Sequence, residues 1–216
     1  MHYVLAMSRA WLLVIAAACS SGSPKDDATH IRFDRRDASL AGDPVLRNAL
    51  AVIGVPVSGK ATVAISIDVP HDRGVEDYAR ATGSIRISCT ACQLGDDRAK
   101  ISTAFGDVDF GHLAVGKLDV AVDLANGKAT VSRWVFESPD LALALKLQLE
   151  LAPKLGDSKV DGCIRFHPAA DLVTRAPRTY AVIETTGAEL RGDGNFHIKL
   201  AGTLDQMKRL NLECGP

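Results

Sequence analysis

Between residues 141 and 151, leucine occupies every second position of the chain. In an α-helix, leucines at this spacing would be spread around the whole circumference and would form no apolar face. In a strand, alternate side chains lie on the same face, so these residues would form an apolar face about 35 Å long. We therefore predict a strand whose apolar face consists of Leu141, Leu143, Leu145, Leu147, Leu149 and Leu151.

A period of two residues recurs along most of the chain and predicts further strands. These are expected at residues 61–69, 85–89, 118–124, 129–136, 160–166 and 196–200, with weaker ones at 180–184 and 189–191. Asn126-Gly127 is a strong hairpin signal, and tight turns between successive strands indicate antiparallel pairing. One helix is expected within residues 35–52 and another at 168–175. The predicted fold is mainly β, an antiparallel meander, curved sheet or sandwich with one or two short helices.

The start of the chain has the composition of a targeting segment. After the single cation Arg9, residues 11–18 form an apolar run, much shorter than the ~20 residues that a membrane-spanning helix needs. Such a run is typical of a signal-peptide core. Small residues followed by Cys19 resemble the lipobox of bacterial lipoproteins, in which the cysteine is diacylated and becomes the new N-terminus.

This pattern predicts the organisation of the chain. We expect a cleaved lipoprotein-type signal peptide at residues 1–18, a flexible tether at 19–30 and a single β-rich domain at 31–216. The lipid on Cys19 would tether the protein to a membrane of the bacterial cell envelope, facing the periplasm. An ordinary cleaved signal peptide and a start at Met7 remain alternatives.

The predicted domain contains four cysteines, Cys89, Cys92, Cys163 and Cys214. An even number in an exported protein indicates disulfides. The C-x-x-C spacing of Cys89 and Cys92 favours a local structural disulfide, with a zinc site and a redox pair as alternatives. By elimination, Cys163 is expected to pair with Cys214 and to close a loop of about 50 residues.

Composition and motifs argue against several classes of function. The net charge is −1, the chain has no long basic stretch, and aromatic residues make up only 5% of it. Nucleic acid is therefore not an expected partner. None of the six histidines belongs to a metalloprotease motif, and no nucleophile elbow or phosphate-binding loop is present. His112, His167 and His197 are expected to be solvated. We predict no catalytic residues, no metal site and no cofactor.

Several turn-rich segments follow one another in a definite order over roughly residues 50–205: 54–60, 81–89, 94–97, 110–113, 116–118, 126–129, 138–141, 163–166, Gly194 and 202–204. This order resembles the general secretion pathway protein N (GspN) family in its AsmA-like form. It implies an accessory component of the type II secretion system, without a cofactor and without catalytic residues to carry over. Members of the family usually have an N-terminal transmembrane anchor, whereas the leader here ends at Cys19.

Three functions are compatible with these patterns. The favoured one is a non-catalytic, periplasm-facing accessory protein of type II secretion that acts through contacts with secretion-system or envelope proteins. The first alternative is an AsmA-like module that binds or transports lipid such as phospholipid in an apolar groove formed by the leucine face, residues 141–151. Against it, the leucines are expected to pack on a second layer of the same core. The second alternative is a structural envelope lipoprotein.

Overall fold

The computed structural model describes residues 27–50, 56–96, 98–103, 106–184 and 186–215, and most of them lie in β-strands. The strands are β1 Ala28–Ser39, β2 Val57–Asp72, β3 Val75–Glu76, β4 Thr82–Gly95, β5 Lys100–Thr103, β6 Gly106–Asp109, β7 His112–Ala125, β8 Lys128–Glu137, β9 Leu141–Glu150, β10 Lys159–Pro168, β11 Glu189–Leu190, β12 Phe196–Thr203 and β13 Lys208–Leu210. The helices are short: α1 Pro44–Leu50, α2 Leu172–Arg175 and α3 Pro177–Glu184. Two 3-10 turns lie at Tyr78–Arg80 and Leu155–Asp157.

Eleven of the strands form one antiparallel sheet. Its order is β1-β2-β4-β7-β8-β9-β10-β12-β11, with β3 beside β2 and β13 beside β12, while β5 and β6 form a separate ribbon. The mainly β prediction is therefore confirmed. The leucine strand and the Asn126-Gly127 hairpin are confirmed as well, because β9 begins at Leu141 and the hairpin joins β7 to β8.

Irregularities bend this sheet. The register between β1 and β2 shifts between Arg35 and Ala38, and Asp37 there has a positive φ of 50°. In β2 the register with β4 shifts at Gly59, whose φ is 113°, and β8 shifts against β7 at Ser132. Bulges of this kind bend a strand and increase its twist. The sheet is consequently curled, and segments from its two halves meet. Tyr78 lies just after β3 and Pro153 just after β9, and the Tyr78 N–H donates a hydrogen bond to Pro153 O at 3.0 Å.

The antiparallel topology gives the sheet two distinct ends. At one end, here called the helical end, α1 follows β1, while α2 and α3 follow β10. Thr179 of α3 ties these helices to the sheet, since its Oγ1 donates to Phe110 O or His112 O, both 2.9 Å away. The opposite end, here called the hairpin end, carries the β2–β3 and β7–β8 hairpins and the β9–β10 connection.

The structure departs from the sequence predictions in several segments. Strand β1 was not predicted; it begins at Ala28, so the last three residues of the predicted tether, 28–30, belong to the sheet and pair with β2. Residues 180–184 were predicted as a strand, which is wrong, because they lie in α3. Pro177 favours the first turn of that helix, and Thr179 and Ile183, one turn apart, are its buried residues. The chain has three short helices in its described part instead of one or two.

Candidate functional site: an apolar trough

The concave face of the sheet forms an apolar trough at the hairpin end, with a volume of about 330 Å³. Every strand along the path from β1 to β12 contributes to its lining. One wall comes from β1, β2, β4, β7 and β8, through Ile31, Ile67, Ile85, Val122, Leu124, Ala129 and Val131. Because the lining follows the strand order without a gap, the trough is a product of the curvature of the whole sheet.

The opposite wall comes from the leucine strand and its neighbours. Leu145, Leu147, Leu149 and Leu151 lie beside Val160 and Ile164 of the paired strand β10, and Leu200 of β12 continues the same wall. Four residues from turns complete the rim: Tyr78, Leu155, Leu204 and Met207. Tyr78 is the one residue of the lining with a polar side-chain group, so the interior offers almost nothing but van der Waals contact and desolvation to a ligand.

The six leucines of the predicted apolar face divide into two groups. Leu141 and Leu143 pack against the buried cluster of Phe166, Leu172 and Ile183 at the helical end. The other four line the trough, where Leu145, Leu147 and Leu149 are half-buried and Leu151 is buried. The expectation that all six pack beneath a second layer is therefore wrong for the trough leucines, because the sheet curls past them and leaves a cavity.

Strands β8 and β9, which meet where the two walls of the trough join, are only partly paired. Strands β8 and β9 pair only from Lys128↔Glu150 to Thr130↔Gln148, whereas β9 pairs with β10 along its whole length. Beyond the paired segment, the Trp134 indole N–H donates to Leu143 O at 3.0 Å. The indole thus supplies a donor that the diverging backbone of β8 no longer provides to β9.

Tyr78 forms the polar end of the lining. Its hydroxyl donates to Glu76 Oε2 at 2.9 Å. Desolvation, followed by the neighbouring Glu76 carboxylate, raises the pKa of Tyr78 to about 12. The Tyr78 hydroxyl is therefore neutral at physiological pH, where it acts as a hydrogen-bond donor.

The most buried carboxylate of the described residues serves the architecture. Asp140 is 1% exposed. Its Oδ2 accepts from the Ala114 N–H at 2.7 Å and its Oδ1 accepts from Arg175 Nη1 at 2.6 Å. Asp140 thereby joins the start of β7 to α2, and its acceptor atoms are occupied by structural partners.

The predicted environment of one histidine is wrong. His197 is 2% exposed, because the C-terminal segment that ends in Cys214 covers it. Its Nδ1 accepts from the Cys214 N–H at 3.2 Å, so Nε2 carries the proton and donates to Asp193 at 3.0 Å. His112 and His167 are exposed, as expected.

The cysteines of the domain lie in pairs at disulfide distance. Cys89 and Cys92 are both on β4, with Cα atoms 6.2 Å apart. Cys163 of β10 lies beside Cys214, with Cα atoms 5.8 Å apart, so both predicted pairings are present. Cys19, the predicted lipidation site, lies outside the described residues, as do the leader and most of the tether.

Several residues of the trough were not predicted from the sequence. Ile31 was missed with β1, although Thr29, Ile31 and Phe33 show the alternation that would have revealed the strand. Tyr78, Leu155, Leu204 and Met207 lie in turns or connections, where no periodic signal indicates which side chains face inward. Trp134, which is not part of the lining but bonds to β9 next to it, was also missed, because the bulge at Ser132 shifts the inward positions of β8 by one residue.

Metal-binding groups and long apolar helices are both absent from the residues that the structure describes. No group of three or more His, Cys, Asp and Glu side chains in this part of the chain is arranged to hold a metal ion. No helix in it combines the length and the apolar composition needed to cross a membrane. Comparisons of the chain with protein-family models, with curated proteins and with solved structures found no match.

Proposed function

We propose that this chain is a non-catalytic binding module that holds the apolar part of a ligand in its trough. The observation that carries the proposal is the lining itself, in which Tyr78 alone among eighteen residues has a polar side-chain group. The volume of about 330 Å³ lies within the ~300–1,000 Å³ typical of ligand pockets. Filling the trough would remove half-buried leucine side chains from water, which is favourable by about 25 cal/mol per Å² of apolar surface.

The shape of the trough favours an elongated ligand. From Leu145 to Leu151 the β9 wall extends over about 20 Å at the rise of a strand. A fatty acyl chain is apolar along its length and satisfies such a wall without leaving a polar group unpaired. Lipid is therefore the ligand class that the geometry supports best, in agreement with the AsmA-like resemblance of the sequence.

The binding proposal is tested with a fluorescent apolar probe, 1-N-phenylnaphthylamine, and with mass spectrometry of gently purified protein. We expect the wild-type protein to bind the probe, and we expect lipid that co-purifies with the protein to compete with the probe for the trough. Leu147→Glu places a carboxylate in the trough and should weaken probe binding at least tenfold, because a buried charge without a partner is unfavourable. Gln148→Glu, the same charge on the opposite face of β9, should leave binding unchanged.

Folding of both variants is checked by circular dichroism. If Leu147→Glu does not fold, Val131→Phe provides a second variant, since it narrows the trough while keeping its lining apolar. Wild-type protein that binds no probe and carries no lipid over several preparations would contradict the proposal.

A second candidate function is the type II secretion accessory role, acting through protein contacts. It is favoured by strand β1, which is the terminal strand of the sheet and has β2 as its strand partner in the described part of the chain. An edge of 12 residues can accept an extended segment of another protein by strand addition. Such pairing would be restricted to a partner strand with complementary charges, because β1 carries the charged residues Arg32, Asp34, Arg35 and Arg36.

The secretion role is tested by deletion of the coding sequence. Under this hypothesis, export of folded type II substrates falls, and the protein with Cys19→Ala leaves the membrane fraction because it lacks the lipid anchor. Normal export in the deletion strain excludes the secretion role without affecting the binding proposal.

A further inference from the structure

A second, shallow depression adjoins the apolar trough at the hairpin end; it is here called the vestibule and has a volume of about 580 Å³. The two cavities share Tyr78 and Leu155. One side of the vestibule is formed by the β2–β3 hairpin, including Val75 and Glu76, and the other by Pro153 and Lys154 of the β9–β10 connection. Tyr78 and Leu155 therefore mark the boundary between the two cavities.

The chemistry of the lining changes at this boundary. The trough contains no charged side chain, whereas the vestibule contains Glu76 and Lys154, one of each sign. Tyr78 belongs to both cavities, and its hydroxyl donates to Glu76 at 2.9 Å. An apolar cavity followed by a polar one matches a ligand that is itself divided into an apolar chain and a polar head.

The signs of the two lining charges restrict the class of polar head group that the vestibule can bind. Arg80, a third charged residue near the rim, is engaged by Asp77 at 2.6 Å and by His71 O at 3.0 Å, and it is not part of the vestibule lining. A head with a single charge would be attracted by one of the two lining charges and repelled by the other. A head that carries both a cation and an anion would be attracted by both, provided that each charge meets its opposite.

We propose that the trough and the vestibule form one composite site for a single-chain zwitterionic amphiphile, with its chain in the trough, its cationic group at Glu76 and its anionic group at Lys154. This inference rests on the proposed binding function, and it adds the class of head group and the residues that select it. Glu76 and Lys154 act as specificity-determining residues, while the trough supplies most of the affinity. The exposed position of both side chains limits each charge contribution to a few-fold in affinity.

The test is displacement of 1-N-phenylnaphthylamine from the full chain by three amphiphiles with the same dodecyl chain, each below its micelle concentration. They are dodecylphosphocholine, which is zwitterionic, dodecanoate, which is anionic, and dodecyl maltoside, which is neutral. We expect dodecylphosphocholine to bind about tenfold more tightly than dodecyl maltoside, from two charge contacts of about threefold each. The preference should shrink at high salt because exposed charges are screened.

Two variants and a matched pair of controls locate the selectivity. Glu76→Gln and Lys154→Gln should each reduce the preference for dodecylphosphocholine about threefold and leave the affinity for dodecyl maltoside unchanged. Glu150→Gln and Lys159→Gln remove the same two kinds of charge from an ion pair of 3.5 Å that lies outside the vestibule, and they should change neither affinity.

The outcomes separate this inference from the proposed function. Equal binding of the three amphiphiles, or an unchanged preference in both vestibule variants, overturns the zwitterion inference and leaves the apolar binding site standing. Tighter binding of dodecanoate than of dodecylphosphocholine overturns the zwitterion inference as well, because the site would then favour an anionic head group. If the wild-type chain binds no probe, the proposed function fails, and the composite site fails with it.

Discussion

Buried polar residues in this protein connect segments that are distant in the sequence. Asp140 joins β7 to α2, and Thr179 joins α3 to the start of β7. Ser158 accepts from the Ala152 N–H through its hydroxyl, while its carbonyl accepts from the Leu204 N–H. Each of these residues is at most 1% exposed. Because each has its hydrogen-bonding partners within the protein, burial stabilises the connection that it makes.

His197 and Asp193 form a connection that depends on pH. The Asn195 backbone N–H, and after it the His197 ring, hold the pKa of the Asp193 carboxyl below its ordinary value of 3.8. A carboxyl with a lowered pKa in the folded state contributes stability that is complete above the unfolded-state pKa, and this stability is lost as the pH falls through the lowered value. The relevant window is therefore the acidic range below about pH 4.

We predict that the stability of the wild-type protein falls more steeply below pH 4 than that of Asp193→Asn, which lacks the titrating group. The measurement is the urea midpoint of both proteins from pH 6 to pH 3. Other carboxyls with lowered pKa, such as Asp68 and Asp123, titrate in both proteins, so the difference between the two slopes isolates Asp193. Parallel slopes would show that the carboxyl of Asp193 does not couple to folding.

At the scale of elements, the strand pattern was largely predictable, and the local breaks in it were not. Period two identifies β2, β7, β9, β10 and β12, because one face of each packs inward along most of its length. In β8, Ala129 and Val131 face the trough, but the bulge at Ser132 places Trp134 on the same side. A shift of this kind depends on the pairing partner β7, which a single strand's sequence does not contain.

Strands β2 and β4 approach each other closely at a glycine. Gly83 of β4 has a φ of 140°, and a Cβ atom at this position would lie 2.1 Å from Ser66 O of β2. Any side chain there must move the backbone of the neighbouring strand, and the φ value is itself unfavourable for other residues. The contact lies where β4 begins, next to the hairpin end of the sheet.

We expect Gly83→Ala to destabilise the protein by about 3 kcal/mol, the sum of backbone strain and overpacking. Gly192→Ala is the control, because its Cβ would have no atom within 4 Å and its φ is not in the left-handed region. The control should change stability by less than about 0.5 kcal/mol. Urea unfolding measures both, and equal values would mean that the β2–β4 contact relaxes without cost.

At the scale of the whole molecule, contacts between segments that are distant in the sequence hold the curled sheet together. The hydrogen bond from Tyr78 N to Pro153 O joins the β2–β4 region to the β9–β10 connection, and the Cys163–Cys214 pair fixes the C-terminal segment to β10. The two disulfide pairs differ greatly in the length of chain that they close, with separations of 51 and 3 residues. Loop-closure entropy therefore predicts unequal contributions to stability.

We predict that replacing Cys163 and Cys214 by serine lowers the free energy of unfolding by about 4 kcal/mol, and that replacing Cys89 and Cys92 lowers it by about 2 kcal/mol. Urea unfolding of the oxidised wild type and of both double variants gives the values, and addition of reductant to the wild type should approach their combined effect. A larger loss for the Cys89–Cys92 variant would show that the local pair stabilises the register shift between β2 and β4 more than it restricts the unfolded chain.

The sequence by itself determined the mainly β character of the chain, the extended leucine strand and the Asn126-Gly127 hairpin, because each depends on a local period or a local turn. The cysteine pairing was an expectation among three possible connectivities, and the tertiary structure decided it by bringing Cys163 beside Cys214. It did not determine the trough, whose existence depends on curvature summed over all strands from β1 to β12. Whether Leu147 lies in a packed core or lines a cavity is decided by how far the sheet curls, and this depends on bulges, a helical end and contacts between residues as distant as Tyr78 and Pro153. Such contacts exist only in the folded chain, so only the tertiary structure separates the core leucines from those that face a ligand.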